Sequence, residues 1–167
     1  MGKKSKILYW SCLIVNLICF ILDLLPFPTS IAFFRFSFPV SLVLIGALLI
    51  ARAVSLKLDS SLFIGIILLL LGFLNGFSYI GQITFGLDIN ELWPYYLFAV
   101  SFASFVTGVY FKDKLQLKLF ILFLFFGLIT LLFVQKLIIL TWYIVLMVLV
   151  FVVYFAINLI TNKKRGR

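Results

Sequence analysis

The chain has 167 residues, 65% of them hydrophobic and only 11% charged, with a formal net charge of +9 and a mean hydropathy of +1.30. Soluble domains are about 45–50% apolar and roughly 25% charged. This composition excludes a single core folded in water, because too little polar surface remains to clothe it. The absence of histidine removes the commonest general base and metal ligand.

A bilayer is the solvent that suits such a chain, and a helical span needs about 20 mostly apolar residues. Gly2-Lys3-Lys4-Ser5-Lys6 opens like a signal peptide, but the apolar run that follows reaches Leu25 and no small-residue cleavage site closes it. It reads as a retained first span, 7–25. Cys12 and Cys19 lie on it, seven residues apart. Roughly 10 Å then separates them along one face, too far for a disulfide, so both read as packing residues. An apolar loop, 26–38, follows, with Phe27, Ile31, Phe33, Phe34, Phe36 and Phe38 suited to the membrane interface.

The second span, 39–56, opens at Pro39, and a short basic loop leads to the third, 62–80. After an external loop, 81–92, the fourth span, 93–111, opens on Trp93-Pro94. The fifth and sixth, 117–134 and 137–160, are parted only by Gln135-Lys136, which demands a very tight turn. Continuous apolar runs, rather than two-residue alternation, make these helices and not barrel strands. Proline suits a first helical turn, where its missing N–H has no partner to lose. Trp93 and Trp142, with Phe38, Tyr95, Tyr96 and Tyr143, suit the aromatic belt at the headgroup level.

The basic residues fix an expected topology. Twelve of the fourteen fall on one side: Lys3, Lys4 and Lys6; Arg52 and Lys57; Lys112, Lys114 and Lys118; and Lys163, Lys164, Arg165 and Arg167 in the tail. Only Arg35 and Lys136 fall on the other. Cytoplasmic loops carry the Lys/Arg excess, which predicts a multi-pass inner (cytoplasmic) membrane protein with both termini in the cytoplasm. The positive charge therefore has a topological origin, with the 161–167 tail able to meet anionic headgroups, and no basic face with base-reading groups indicates nucleic-acid binding.

An internal period joins the spans. Pro39 and Pro94 are 55 residues apart, Ile7 and Leu62 are 55 apart, and Leu117 lies 55 further on. The chain reads as one transmembrane domain, all-α, of six transmembrane helices arranged as three tandem helical hairpins: 7–56, 62–111 and 117–160. Thr141-Trp142-Tyr143 stands in the third where Phe38-Pro39 and Trp93-Pro94 stand in the others.

A glycine-bracketed helix, Gly65 to Gly72, is followed by a turn-rich loop and Leu92-Trp93-Pro94 opening the next helix. This resembles the LiaI/LiaF-type transmembrane region of bacterial membrane proteins. That pattern places a glycine seven residues after the proline; the first hairpin keeps it as Gly46, and the second has Ser101 there. The triplicated hairpin is also similar, more loosely, to HdeD-like six-helix membrane proteins. The resemblance implies a non-enzymatic regulator of envelope-stress signalling that restrains a membrane kinase through helix contacts.

Intramembrane polar residues are the default functional candidates. Asn16 lies near the middle of the first span, Asn75 in the third and Asn158 near the end of the sixth; Asp23 is close to the external end of the first. Ser41, Ser101, Ser104, Thr107 and Thr130 are milder cases. For Asn16 and Asn75 the alternatives are an interhelical hydrogen bond or the lining of a ligand path. For Asp23 they are a hydrated interfacial carboxylate or a proton relay, and Arg35 is a surface partner for the external acids Asp23, Asp88 and Glu91. No nucleophile–base pair, phosphate loop or metal-ligand spacing is visible, so no enzyme activity, cofactor or metal is expected.

Two functions remain. The first is an integral-membrane scaffold or regulator that binds other membrane proteins or its own copies through helix faces. The second is a small transporter or substrate-binding membrane subunit, which requires Asn16, Asn75 and Asp23 to converge on one cavity near the midplane, often beside broken helices. No span is expected to have an interior proline.

Overall fold

The structure, a computed structural model, describes the backbone of residues 3–24, 33–85 and 92–163 and the side chains of 7–23, 33–82 and 92–157. The described residues form six helices: α1 (Lys3–Leu24), α2 (Phe33–Leu56), α3 (Asp59–Phe85), α4 (Trp93–Phe111), α5 (Lys114–Val134) and α6 (Leu140–Lys163). Five of these, α2 to α6, are long and apolar enough to cross a membrane, while the apolar stretch of α1 is the shorter Ile7–Asp23. The protein is an all-helical membrane protein whose apolar helices meet lipid. Helices suit that setting because each backbone N–H and C=O is satisfied within its own segment.

The start of α2 departs from expectation. The helix begins at Phe33, so Pro39 is an interior residue and the stretch 33–38 is helical rather than loop. Leu25 of the expected first span and the other loop residues, 26–32, lie outside the described residues, as do 86–91 of the expected second external loop and 164–167 of the tail. Having no N–H, Pro39 leaves the Arg35 carbonyl without its helical donor, yet α2 runs through it unbroken to Leu56. Pro94 sits as expected in the first turn of α4.

The chain divides into two compact units, Met1–Ile89 and Asn90–Arg167. In the first, α2 packs most extensively on α3, and α1 packs on α2. In the second, α4 packs most extensively on α5, with α6 against α5. The closest pairs are thus joined by the basic turns at Lys57 and Lys112, not by the external loops, and the expected hairpin 62–111 has α3 in one unit and α4 in the other.

The three tight turns share one construction. Lys57, Lys112 and Lys136 adopt left-handed φ values of 52°, 55° and 59°. The next N–H then reaches back five residues: Leu58 to Ala53 O at 3.1 Å, Asp113 to Gly108 O at 3.0 Å and Leu137 to Leu132 O at 2.9 Å. This is the Schellman arrangement that satisfies orphan carbonyls at a helix end. Asp113 then caps α5 by accepting from Leu115 N at 2.8 Å.

Positions 55 apart make matching contacts in α2–α3 and α4–α5. A Cβ built on Gly46 would lie 2.7 Å from Gly65 O; at the corresponding place Ser101 Oγ donates to Phe120 O at 2.9 Å. Gly72 faces Val43, and Gly127 faces Phe98. Asn75 donates to Leu71 O at 2.7 Å and Thr130 to Phe126 O at 2.7 Å. Small residues at these points let helix backbones approach closely, the usual basis of helix association in lipid.

Candidate functional site

Two polar candidates of the first unit, Asn16 and Asp23, join α1 to α2. Asn16, in mid-α1, donates from Nδ2 to Cys12 O at 2.8 Å and to Ser41 Oγ at 2.6 Å. Its Oδ1 accepts from Ser37 Oγ at 3.1 Å. Ser37 and Ser41 stand one turn apart on α2, so both face α1 and clasp the amide from two sides. A carboxamide offers two donors and an acceptor, and each is bonded. Ser37 drew no notice in the sequence because it was assigned to a loop.

Asp23 is bonded to two backbone amides. Its Oδ1 accepts from Phe33 N at 2.8 Å and its Oδ2 from Phe34 N at 2.9 Å. These amides open α2, where the first N–H groups have no helical acceptor and where the helix dipole favours a negative charge. The last turn of α1 therefore caps α2, which explains why α2 can begin six residues ahead of its proline. Arg35 has no ion pair with an acid among the described residues; Asp88 and Glu91 lie outside them.

Asn75 bonds back into its own helix. It lines a recess with Arg35, Ser78, Tyr79 and Gln82. Asn16 lines a different one, with Tyr9, Cys12 and Ile45. The rings of Phe34 and Phe38, stacked at 5.4 Å, border both recesses. Asn16, Asn75 and Asp23 do not converge on one cavity among the described residues.

In the second unit Ser104 and Thr107 are fully buried on α4, and neither hydroxyl has a hydrogen-bond partner. Among the described residues no group of three His, Cys, Asp or Glu side chains gathers to hold a metal, and Cys12 and Cys19 are free thiols. Trp93 and Trp142 are exposed, at 63% and 60%, in the first turns of α4 and α6. Asn158 has its side chain outside the described residues. Comparison with protein-family models, with curated proteins and with solved structures gives no match for this chain.

Proposed function

We propose that this protein is a non-enzymatic integral-membrane scaffold or regulator that acts through helix–helix contacts with membrane partners, in the manner the LiaI/LiaF-type resemblance implies. One observation carries the reading. The deep polar group, Asn16, and the interfacial acid, Asp23, are both engaged between α1 and α2, and among the described residues neither lines the recess that holds Asn75. The outward surface is apolar by contrast, and none of the Leu140–Ile157 stretch of α6 is buried.

The proposal includes six spans with both termini in the cytoplasm, supported by the lopsided distribution of Lys and Arg. It also includes an origin by duplication of a 55-residue unit, supported by the matched contacts of Gly46 with Ser101 and of Gly72 with Gly127. The test is purification from the native membrane in mild detergent, with mass spectrometry of what accompanies the protein and light scattering of the particle. A stoichiometric membrane partner or a defined oligomer supports the reading. A strictly monomeric particle with no partner refutes it.

A further inference from the structure

On the face of α2 and α3 beside the Asn75 recess runs an apolar groove of about 320 Å³, a size at which ligand sites begin. Gly72, Gly76, Val43 and Phe77 line it together with Arg35, the one charged residue on its border. The groove exists because Gly76 has no side chain: a Cβ there would meet only Pro39 Cβ, at 3.8 Å. The recess that shares Arg35, Pro39 and Tyr79 with it is the more polar of the two, adding Ser78 and Gln82. The apolar slot thus adjoins a more polar recess, and the two share one cation, Arg35.

Length and charge identify the occupant. From Arg35 to Leu44 the α2 wall is ten residues long, nine helical rises or roughly 13 Å. The hydrocarbon core is about 30 Å thick, so the groove spans one leaflet. That depth matches a single acyl chain. Asp23, the nearest acid in sequence, already holds the amides of Phe33 and Phe34 with its two oxygens. The exposed Arg35 guanidinium matches a phosphate by paired, charge-assisted hydrogen bonds.

We propose that this groove binds one anionic phospholipid, an acyl chain lying over Gly72 and Gly76 and the phosphate on Arg35. The test is native mass spectrometry of the delipidated full chain in mild detergent, titrated with phosphatidylglycerol and separately with phosphatidylcholine. Wild type is expected to take up one phosphatidylglycerol ahead of any further lipid. Arg35→Gln, at an exposed position that does not endanger folding, should weaken the first phosphatidylglycerol about tenfold or more and phosphatidylcholine much less, as loss of a charge-assisted bond requires. Gly76→Leu fills the slot and should weaken both lipids. Lipid adducts of equal number and stability in wild type and Arg35→Gln would overturn the proposal, since they mark annular lipid only. A Gly76→Leu protein that keeps its helicity and melting temperature and still binds as wild type would overturn it as well.

Discussion

Replacing Gly46 by alanine tests whether α2 and α3 are held together by backbone approach. The added Cβ would lie 2.6 Å from Leu69 N and 2.7 Å from Gly65 O, where ordinary contact begins at 3.4 Å. Both obstacles are backbone atoms and cannot rotate away, so the helices must part by several tenths of an ångström. A gap of about 0.5–1 Å forfeits a quarter to a half of each dispersion contact it touches, and overpacking of this kind costs about 1–3 kcal/mol. Alanine's helix-propensity advantage in water, about 1 kcal/mol, offsets little here, because helices stay helical when they separate within a bilayer. Gly76→Ala is the control, since its Cβ has an ordinary 3.8 Å neighbour. The assay is denaturant titration in detergent micelles, followed by tryptophan fluorescence. Gly46→Ala should lose about 1–3 kcal/mol, and Gly76→Ala should stay within about 0.5 kcal/mol of wild type. Equal stability of Gly46→Ala and wild type, or equal damage from both variants, would refute the close-approach argument.

Asp23→Ala strips the acceptors from Phe33 N and Phe34 N and should cost about 0.5–2 kcal/mol, read as faster hydrogen exchange of the first α2 amides with those of α3 unchanged. Asn16→Ala breaks the bridge to Ser37 and Ser41; a double-mutant cycle with Ser41→Ala should return a coupling of about 0.6–1.7 kcal/mol, and zero coupling would discard the bond as a stabilising contact. Lys112→Gly places a residue without a Cβ at φ 55° and should raise stability by about 1 kcal/mol, with a higher melting temperature as the readout. A fall in melting temperature would show that the lysine side chain, not its backbone, sustains the turn.

The helices were legible because apolar runs of spanning length are a strong signal. What escaped was governed by contacts distant in sequence. Arg35 and Ser37 made 33–38 look like loop, and Pro39 looked like a first-turn proline. The cap that lets α2 start at Phe33 comes from Asp23 on another helix, and no local pattern announces it. Asn16 was visible as an amide in an apolar run, but its bonds to Ser37 and Ser41 depend on how α1 sits on α2. The 55-residue spacing was readable, yet the pairing that dominates is the one across Lys57 and Lys112. A left-handed lysine followed by an N–H bonded five residues back reverses the chain within a few residues and lays the next helix beside the last. Nothing in the composition of Lys57-Leu58 or Lys112-Asp113 signals that geometry, since glycine is the residue that usually supplies it.

Positions 46 and 101 show two ways of closing the same kind of helix seam. At Gly46 the helices meet backbone to backbone, with no room for a Cβ beside Gly65 O. At Ser101 the equivalent approach is relaxed enough to admit a side chain, and the hydroxyl that enters donates to Phe120 O. One seam is closed by fit and the other by a hydrogen bond, at the same place along α2 and α4. In lipid there is no hydrophobic drive to bring two apolar helices together, so packing and such bonds must supply the pairing. Asn16 does for α1 what Ser101 does for α5. A hydroxyl or amide placed this way has its donor engaged in joining one helix to the next.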